Sequence, residues 1–184
     1  MLQTIENLDL QLFHYLNHEW RNEYLDFILP YFRQPKTWIL LYLLLIYIVV
    51  KKFKAQSLKI LLLIVLSTAA ADLISSRIIK PAVHRLRPCN EPTLKGETIN
   101  IVPCGSGYSY TSSHAANHFA LAMSVSLLVF YDKKNIRRLL LLWASLIAYA
   151  QVYVGVHYPF DVFSGAMLGI AIAISIYKLG RKFV

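Results

Sequence analysis

Three short stretches of the chain hold side chains suited to phosphate chemistry. Between Lys80 and Pro88 stand Lys80, His84 and Arg87, at offsets of four and seven residues, one stripe if the segment is helical. Pro81 and Pro88 work against a regular helix there, but either path keeps two cations on a short tether. A Lys with an Arg suits a phosphate, one as a point charge and the other as a planar fork of donors; the plainer alternative is a pair of snorkelling side chains at a helix end. Ser112, Ser113 and His114 immediately precede an apolar run. A serine in that place caps a helix, the first-turn amides and the helix dipole form an anion site, and an imidazole beside them has a proton to give. In the third stretch His157 is followed four residues later by Asp161, with Pro159 suited to a first helical turn. A carboxylate on one imidazole nitrogen fixes the tautomer and leaves the other as a nucleophile or base; the alternative is an acidic cap beside an interfacial histidine.

These residues stand at the mouths of strongly apolar segments. With 184 residues, 57% hydrophobic content, a mean hydropathy of +0.47 and 13% aromatics, the chain is too apolar for a soluble domain of its length. It reads as one all-α domain, a polytopic membrane helix bundle. A bilayer core takes about 20 mostly apolar residues per helix, and the candidate spans are 37–50, 58–79, 115–131, 139–156 and 160–177. That makes five transmembrane helices, with a bundle over 35–178 and a long connection at 81–110. Residues 1–34 read as an interfacial segment: Ile5 to Trp20 mixes acids and His with Leu, Phe and Tyr at helical spacing, and Leu25 to Phe32 is too short to cross and contains Pro30. The start lacks the basic residues and continuous apolar run of a secretory signal, so insertion is expected to rely on the spans.

Charge sets the orientation. Lys51, Lys52, Lys54 and Lys59, then Lys133, Lys134, Arg137 and Arg138, then Lys178, Arg181 and Lys182 alternate so as to share one side, the cytoplasm. Seven acids, from Glu6 to Glu97, fall on the other side, whereas Asp132 is the only acid among the basic clusters. The same topology brings all three polar stretches to the outer face. Lys80, Arg85 and Arg87 are then basic residues on the side that usually avoids them, and an anionic ligand would account for them.

Lys80 with Arg87-Pro88, Ser112-Ser113-His114, and His157 with Asp161 resemble the three signature motifs of the type 2 phosphatidic acid phosphatase superfamily, over roughly 80–169. Membership implies that His157 attacks phosphorus to form a phosphohistidine, that Asp161 orients it and that His114 protonates the leaving alkoxide. Lys80, Arg87, Ser112 and the amides near Ser113 would hold the non-bridging oxygens. No metal or other cofactor is implied. Of the family's two branches, the membrane lipid phosphatases fit this composition and the soluble haloperoxidases do not. The sequence departs from the pattern twice: Ser113 stands where glycine is usual, and Ala150-Gln151 stands where a Ser-Arg pair is usual, six residues before the histidine. Gln151 donates hydrogen bonds but brings no charge, leaving room for altered substrate preference, for compensation by Arg85 or His84, or for reduced activity.

The implied substrate is a lipid phosphate or pyrophosphate of the bacterial cell envelope, such as undecaprenyl pyrophosphate, phosphatidate, phosphatidylglycerol phosphate or lipid A. It would be met at the outer leaflet of the inner membrane, with the C-terminus cytoplasmic. The partners expected are membrane lipids, without nucleic acid, for a monomer or weak homodimer. Lipid-to-lipid phosphotransfer and a small transporter or channel are the alternatives, the latter because Asp72 lies within a span, where it would meet Arg77 or a polar bundle interior. His114 and His118 have the spacing of a zinc pair but lack the Glu of the common zinc-hydrolase helix, so His118 is expected to pack or hydrogen-bond within the bundle. Cys89 and Cys104 could pair in an oxidising compartment, closing a loop worth about 3 kcal/mol, or remain free thiols. Gly165, Ala166 and Gly169 form a small-residue stripe for close helix packing, as do Ala69 to Ala71.

Overall fold

No charge interrupts the sequence from Ile39 to Val50, and this run forms an outer helix of a membrane-type bundle. The computed structural model describes residues 2–183, and among them there are helices and no strand. The α-helices are α1 (Leu2–His14), α2 (Glu23–Phe32), α3 (Ile39–Phe53), α4 (Ser57–Leu73), α5 (Lys80–Val83), α6 (Ser113–Leu128), α7 (Lys134–Tyr153) and α8 (Pro159–Gly180). The five longer helices from α3 onward, leaving out α5, occupy the places expected of the spans. Their ends shift: α6 starts at Ser113, α7 already at Lys134, and α8 runs on to Gly180.

Lys54, with φ 47°, breaks the chain between α3 and α4 so that they form a hairpin. Leu45 and Val49 of α3 meet Ile60 and Ile64 of α4 in a core completed by Val125, Trp143 and Ile147. From Ile74 to Ile79 the rod continues with the wider i to i+5 bonding of a π-helix and then runs into α5. Such segments rotate the residues that follow and are frequent at functional sites. The rod ends where His84 adopts a left-handed conformation (φ 56°), so Lys80, His84 and Arg87 do not form one helical stripe; Arg87 lies in extended chain beyond the end.

The centre of the bundle is α6, packed by α4, α7 and α8. Apolar burial drives helices together weakly when the surroundings are lipid, and close backbone packing takes over. Accordingly, Ala115, Ala116 and Ala120 of α6 are fully buried, and Gly165 and Gly169 of α8 lie against them. A side chain at Gly169 would collide with the Ala116 carbonyl and the Ala120 amide, which are backbone and cannot turn aside. Gly169→Leu is therefore expected to destabilise the bundle by at least about 1–3 kcal/mol, read as a lowered Tm and loss of the monodisperse peak in detergent.

The outward faces are apolar. Leu40, Leu43, Leu62, Val65, Leu142 and Met167 are all exposed, an expanse of apolar surface that only a membrane would cover. Two helical stretches, Pro35–Leu94 and Pro159–Gly180, are long and apolar enough to cross one. The Lys52 ammonium donates to the Val129 carbonyl and Tyr131 stacks on Tyr177, so the three basic clusters gather at one end. The polar stretches lie at the other.

The described part of the N-terminal segment, residues 2–34, does more than lie on a surface. Asn17 donates to the carbonyls of Ile99 and Tyr153 and accepts from the Ile99 N–H, tying the long connection to the end of α7. Asn22 caps α2, accepting from Leu25, and the Tyr153 hydroxyl donates to Asp26. Ten residues are too few for α2 to cross, and it turns Tyr24, Phe27 and Tyr31 outward, as an interfacial helix does. The connection over 81–110 is closed by a disulfide between Cys89 and Cys104, whose Cα atoms are 5.9 Å apart.

Candidate active site

The third motif is built on the sharp turn between α7 and α8. Gly155, at φ 86°, makes the turn, and a Cβ there would strike the Ile99 carbonyl. The N–H groups of Val156 and His157 both donate to the Gln151 carbonyl, and Pro159 then opens α8. His157 is held from both sides. Its Nδ1 lies 3.3 Å from Asp161 Oδ2, and its Nε2 lies 3.2 Å from Arg87 Nη1. A guanidinium only donates, so Nε2 is the acceptor and Nδ1 carries the proton to Asp161. The tautomer is thus the one that leaves Nε2 with a lone pair. Burial pushes the imidazole down to about 4, against the pull of Asp161, so His157 is neutral at pH 7.

Asp161 is wholly buried, and its oxygens are shared among three donors. Oδ2 also accepts from the Tyr158 N–H at 3.0 Å, and Oδ1 accepts from Arg85 Nη1 at 2.9 Å. Arg85 in turn donates to Asp9 Oδ2 at 2.6 Å and lies over the Tyr158 ring. With two carboxylates on its fork, Arg85 is a strut rather than a substitute for the missing family cation. His84 packs against Tyr108 instead. Sequence reasoning missed Asp9. Buried in the middle of α1, it joins Arg85 to the start of α8 by accepting from the Phe160 N–H at 2.8 Å.

The second motif meets the third directly. The Ser112 N–H donates to the Asp161 carbonyl at 2.9 Å, which fixes the start of α6 to the first turn of α8. His114, the second residue of α6, and His157 consequently share one end of the bundle. Ser112 is the cap of α6, its Oγ accepting from Ala115, while the Ser113 hydroxyl turns away to Ser75 at 2.9 Å. Ser75, on the π-helical segment, also bonds Thr111 and was not legible as a site residue. The first amides of α6 have no carbonyl behind them and face an incoming anion with the positive end of the helix.

From the first motif, Lys80 Nζ donates to the carbonyls of Tyr108 and Ser109, both at 2.9 Å, leaving its third proton for a ligand. Arg87 Nη1 also donates to the Val156 carbonyl, and its Nε is buried without a partner. Gln151 is fully buried beneath the turn, and neither amide atom has a partner. Outside this cluster, His118 sets Nδ1 on the His114 carbonyl at 2.8 Å and packs against Trp143. Asp72 accepts from Asn117 at 2.9 Å rather than from Arg77. A neutral imidazole, oriented by a carboxylate and surrounded by N–H donors and cations, has a lone pair able to serve as a nucleophile toward an anion held there.

An all-helical membrane bundle with two histidines at one end and cations around them defines a class of membrane phosphatases. The chain belongs to the PAP2 superfamily, whose family model matches residues 59–184. It is 30% identical over 172 residues to a lipid A 4'-phosphatase of Bacteroides thetaiotaomicron, which covers 92% of this chain and 75% of that one. To a lipid A 4'-phosphatase of Porphyromonas gingivalis it is 26% identical over 147 residues, 78% of this chain and 61% of the relative. Among solved structures, Aquifex aeolicus LpxE superposes with a TM-score of 0.72 at 29% identity, covering 93% of this chain and 95% of that one. The chain is a membrane protein and a lipid phosphatase.

Proposed function

We propose that this protein removes a phosphate monoester from a lipid A-type headgroup by way of a phosphohistidine on His157. The observation that carries the reading is the opposed pair of contacts on that imidazole, Asp161 on Nδ1 and Arg87 on Nε2. In the resting site Arg87 covers the lone pair. An arriving phosphate draws the guanidinium onto its own oxygens and exposes Nε2. Nε2 then attacks phosphorus, the P–N bond forms as the P–O bond to the sugar breaks, and His114 gives the leaving oxygen its proton. Water, deprotonated by His114, cleaves the P–N bond, releases inorganic phosphate and restores the lone pair. Lys80, Arg87, the Ser112 hydroxyl and the first amides of α6 neutralise the equatorial oxygens throughout. Asp161, held by Arg85, supports the positive charge that His157 acquires on phosphorylation.

Five helices, α3, α4, α6, α7 and α8, cross the membrane in this reading, with the basic end in the cytoplasm and the site at the outer leaflet. Similarity to two relatives named lipid A 4'-phosphatase supports taking that 4'-phosphate as the first substrate to test, with undecaprenyl pyrophosphate, phosphatidate and phosphatidylglycerol phosphate beside it. The test is phosphate release from these four lipids in detergent containing EDTA. Release from lipid A, undiminished by the chelator, is the expected outcome. Preference for another lipid would reassign the substrate, and loss of release in EDTA would contradict the metal-free mechanism.

A further inference from the structure

Three polar side chains at this end of the bundle carry buried atoms that bond to nothing. Arg87 Nε, both amide atoms of Gln151 and the Nε of Arg33 are enclosed without a hydrogen-bond partner. Arg33 belongs to none of the three motifs. It follows α2, whose Leu29 and Phe32 pack against Ala150, Tyr153 and Val154, so the helix delivers Arg33 beside the last turns of α7, where Gln151 lies. The turn that carries it is fixed: Thr37 Oγ1 donates to the Tyr31 carbonyl and Trp38 Nε1 to the Phe32 carbonyl, both at 2.7 Å.

No carboxylate pairs with the Arg33 side chain among the described residues. Burial first, and then the like charge of Arg87, lower the pKa of the Arg33 guanidinium. Two guanidiniums that each enclose an unpartnered Nε at the same end of a low-dielectric bundle call for an anion. Arg85 cannot supply the charge that Gln151 lacks, because Asp9 and Asp161 occupy it.

We propose that Arg33 is a substrate-binding cation of this site, donating to non-bridging oxygens of the phosphate beside Arg87 and supplying from the N-terminal segment the positive charge absent at Gln151. The inference rests on the phosphatase reading for its kinetics but not for its binding chemistry. Three roles follow for one contact: Arg33 lowers KM, stabilises the charge of the transition state and makes the turn after α2 part of the active site.

The experiment compares the full-length parent with Arg33→Ala, Arg33→Lys, Gln151→Arg and the Arg33→Ala/Gln151→Arg double variant in detergent. It measures kcat and KM on lipid A, competitive inhibition by inorganic phosphate, and Tm. Arg33→Ala is expected to lower kcat/KM by about 10²-fold, as loss of one oxyanion donor does. The inhibition constant of phosphate should rise by about tenfold or more, the worth of one charge-assisted hydrogen bond. In the double variant, a guanidinium restored at 151 should recover most of both losses. Unchanged phosphate inhibition in a folded Arg33→Ala protein overturns the proposal, as does a double variant no better than the single one. If Arg33→Ala does not fold, Arg33→Lys decides: its phosphate inhibition must weaken, and an unaltered constant refutes the contact. If the parent hydrolyses none of the lipids, titration with inorganic phosphate alone gives the answer. Weaker binding by Arg33→Ala then sustains the site while the enzymatic reading fails, and equal binding overturns the site.

Discussion

His157→Ala is expected to reduce phosphate release by about 10⁴-fold or more, the scale on which removing a covalent nucleophile acts. The change deletes the one lone pair that Arg87 and Asp161 hold ready. Fold should persist, because the backbone N–H of His157 keeps its bond to Gln151 and the turn depends on Gly155 and Pro159. The measurement is steady-state release with Tm as the control. Activity within tenfold of the parent in a folded protein would remove His157 from the nucleophile role.

Asp161→Asn should cost about 10³–10⁴-fold in kcat while leaving KM nearly unchanged, because an amide no longer dictates which imidazole nitrogen carries the proton. The pH dependence gives a second readout with a definite sign. Burial already pushes the His157 imidazole down to about 4, and Asp161 is the group pulling it up. As pH falls through that value Nε2 takes a proton and attack stops. Without the carboxylate the acid limb of the phosphorylation rate should therefore move lower still, even as the plateau falls. A limb that moved upward would mean that Asp161 does not stabilise the imidazolium. Because Arg85 would keep Asp9 as a partner, the variant should retain its fold.

The helices and the three motifs were legible because each depends on local chemistry. A run of apolar residues at α3 or α8, a serine before α6 and an acid four residues after a histidine all carry their meaning within one turn of chain. Where the sequence reading stopped, the meaning depended on distant partners. Asp9 looks like one more acid on a polar helix face, and only its bonds to Arg85 and Phe160 reveal it as a buried joint. Arg85 was offered as a replacement cation, and two carboxylates from opposite ends of the chain claim it. The stripe through Lys80, His84 and Arg87 failed because His84 leaves the helix before Arg87 is reached. Ser113 and Ser75 could not be paired beforehand, since a π-helical segment sets the phase in which Ser75 faces α6. The disulfide, by contrast, joins the two cysteines the sequence offered, and it ties Arg87 to the same connection that Asn17 fastens down.

In the proposed reaction phosphorus passes onto His157 Nε2 before water reaches it. Mixing enzyme with excess lipid A, denaturing in alkali within milliseconds, where phosphohistidine survives, and mapping phosphate on the peptides by mass spectrometry captures that step. An acid-labile phosphate is expected on the peptide containing His157, formed at least as fast as inorganic phosphate appears and absent from His157→Ala. Steady release of inorganic phosphate with no phosphate on that peptide at any time, or with the label on another residue, would contradict that reaction.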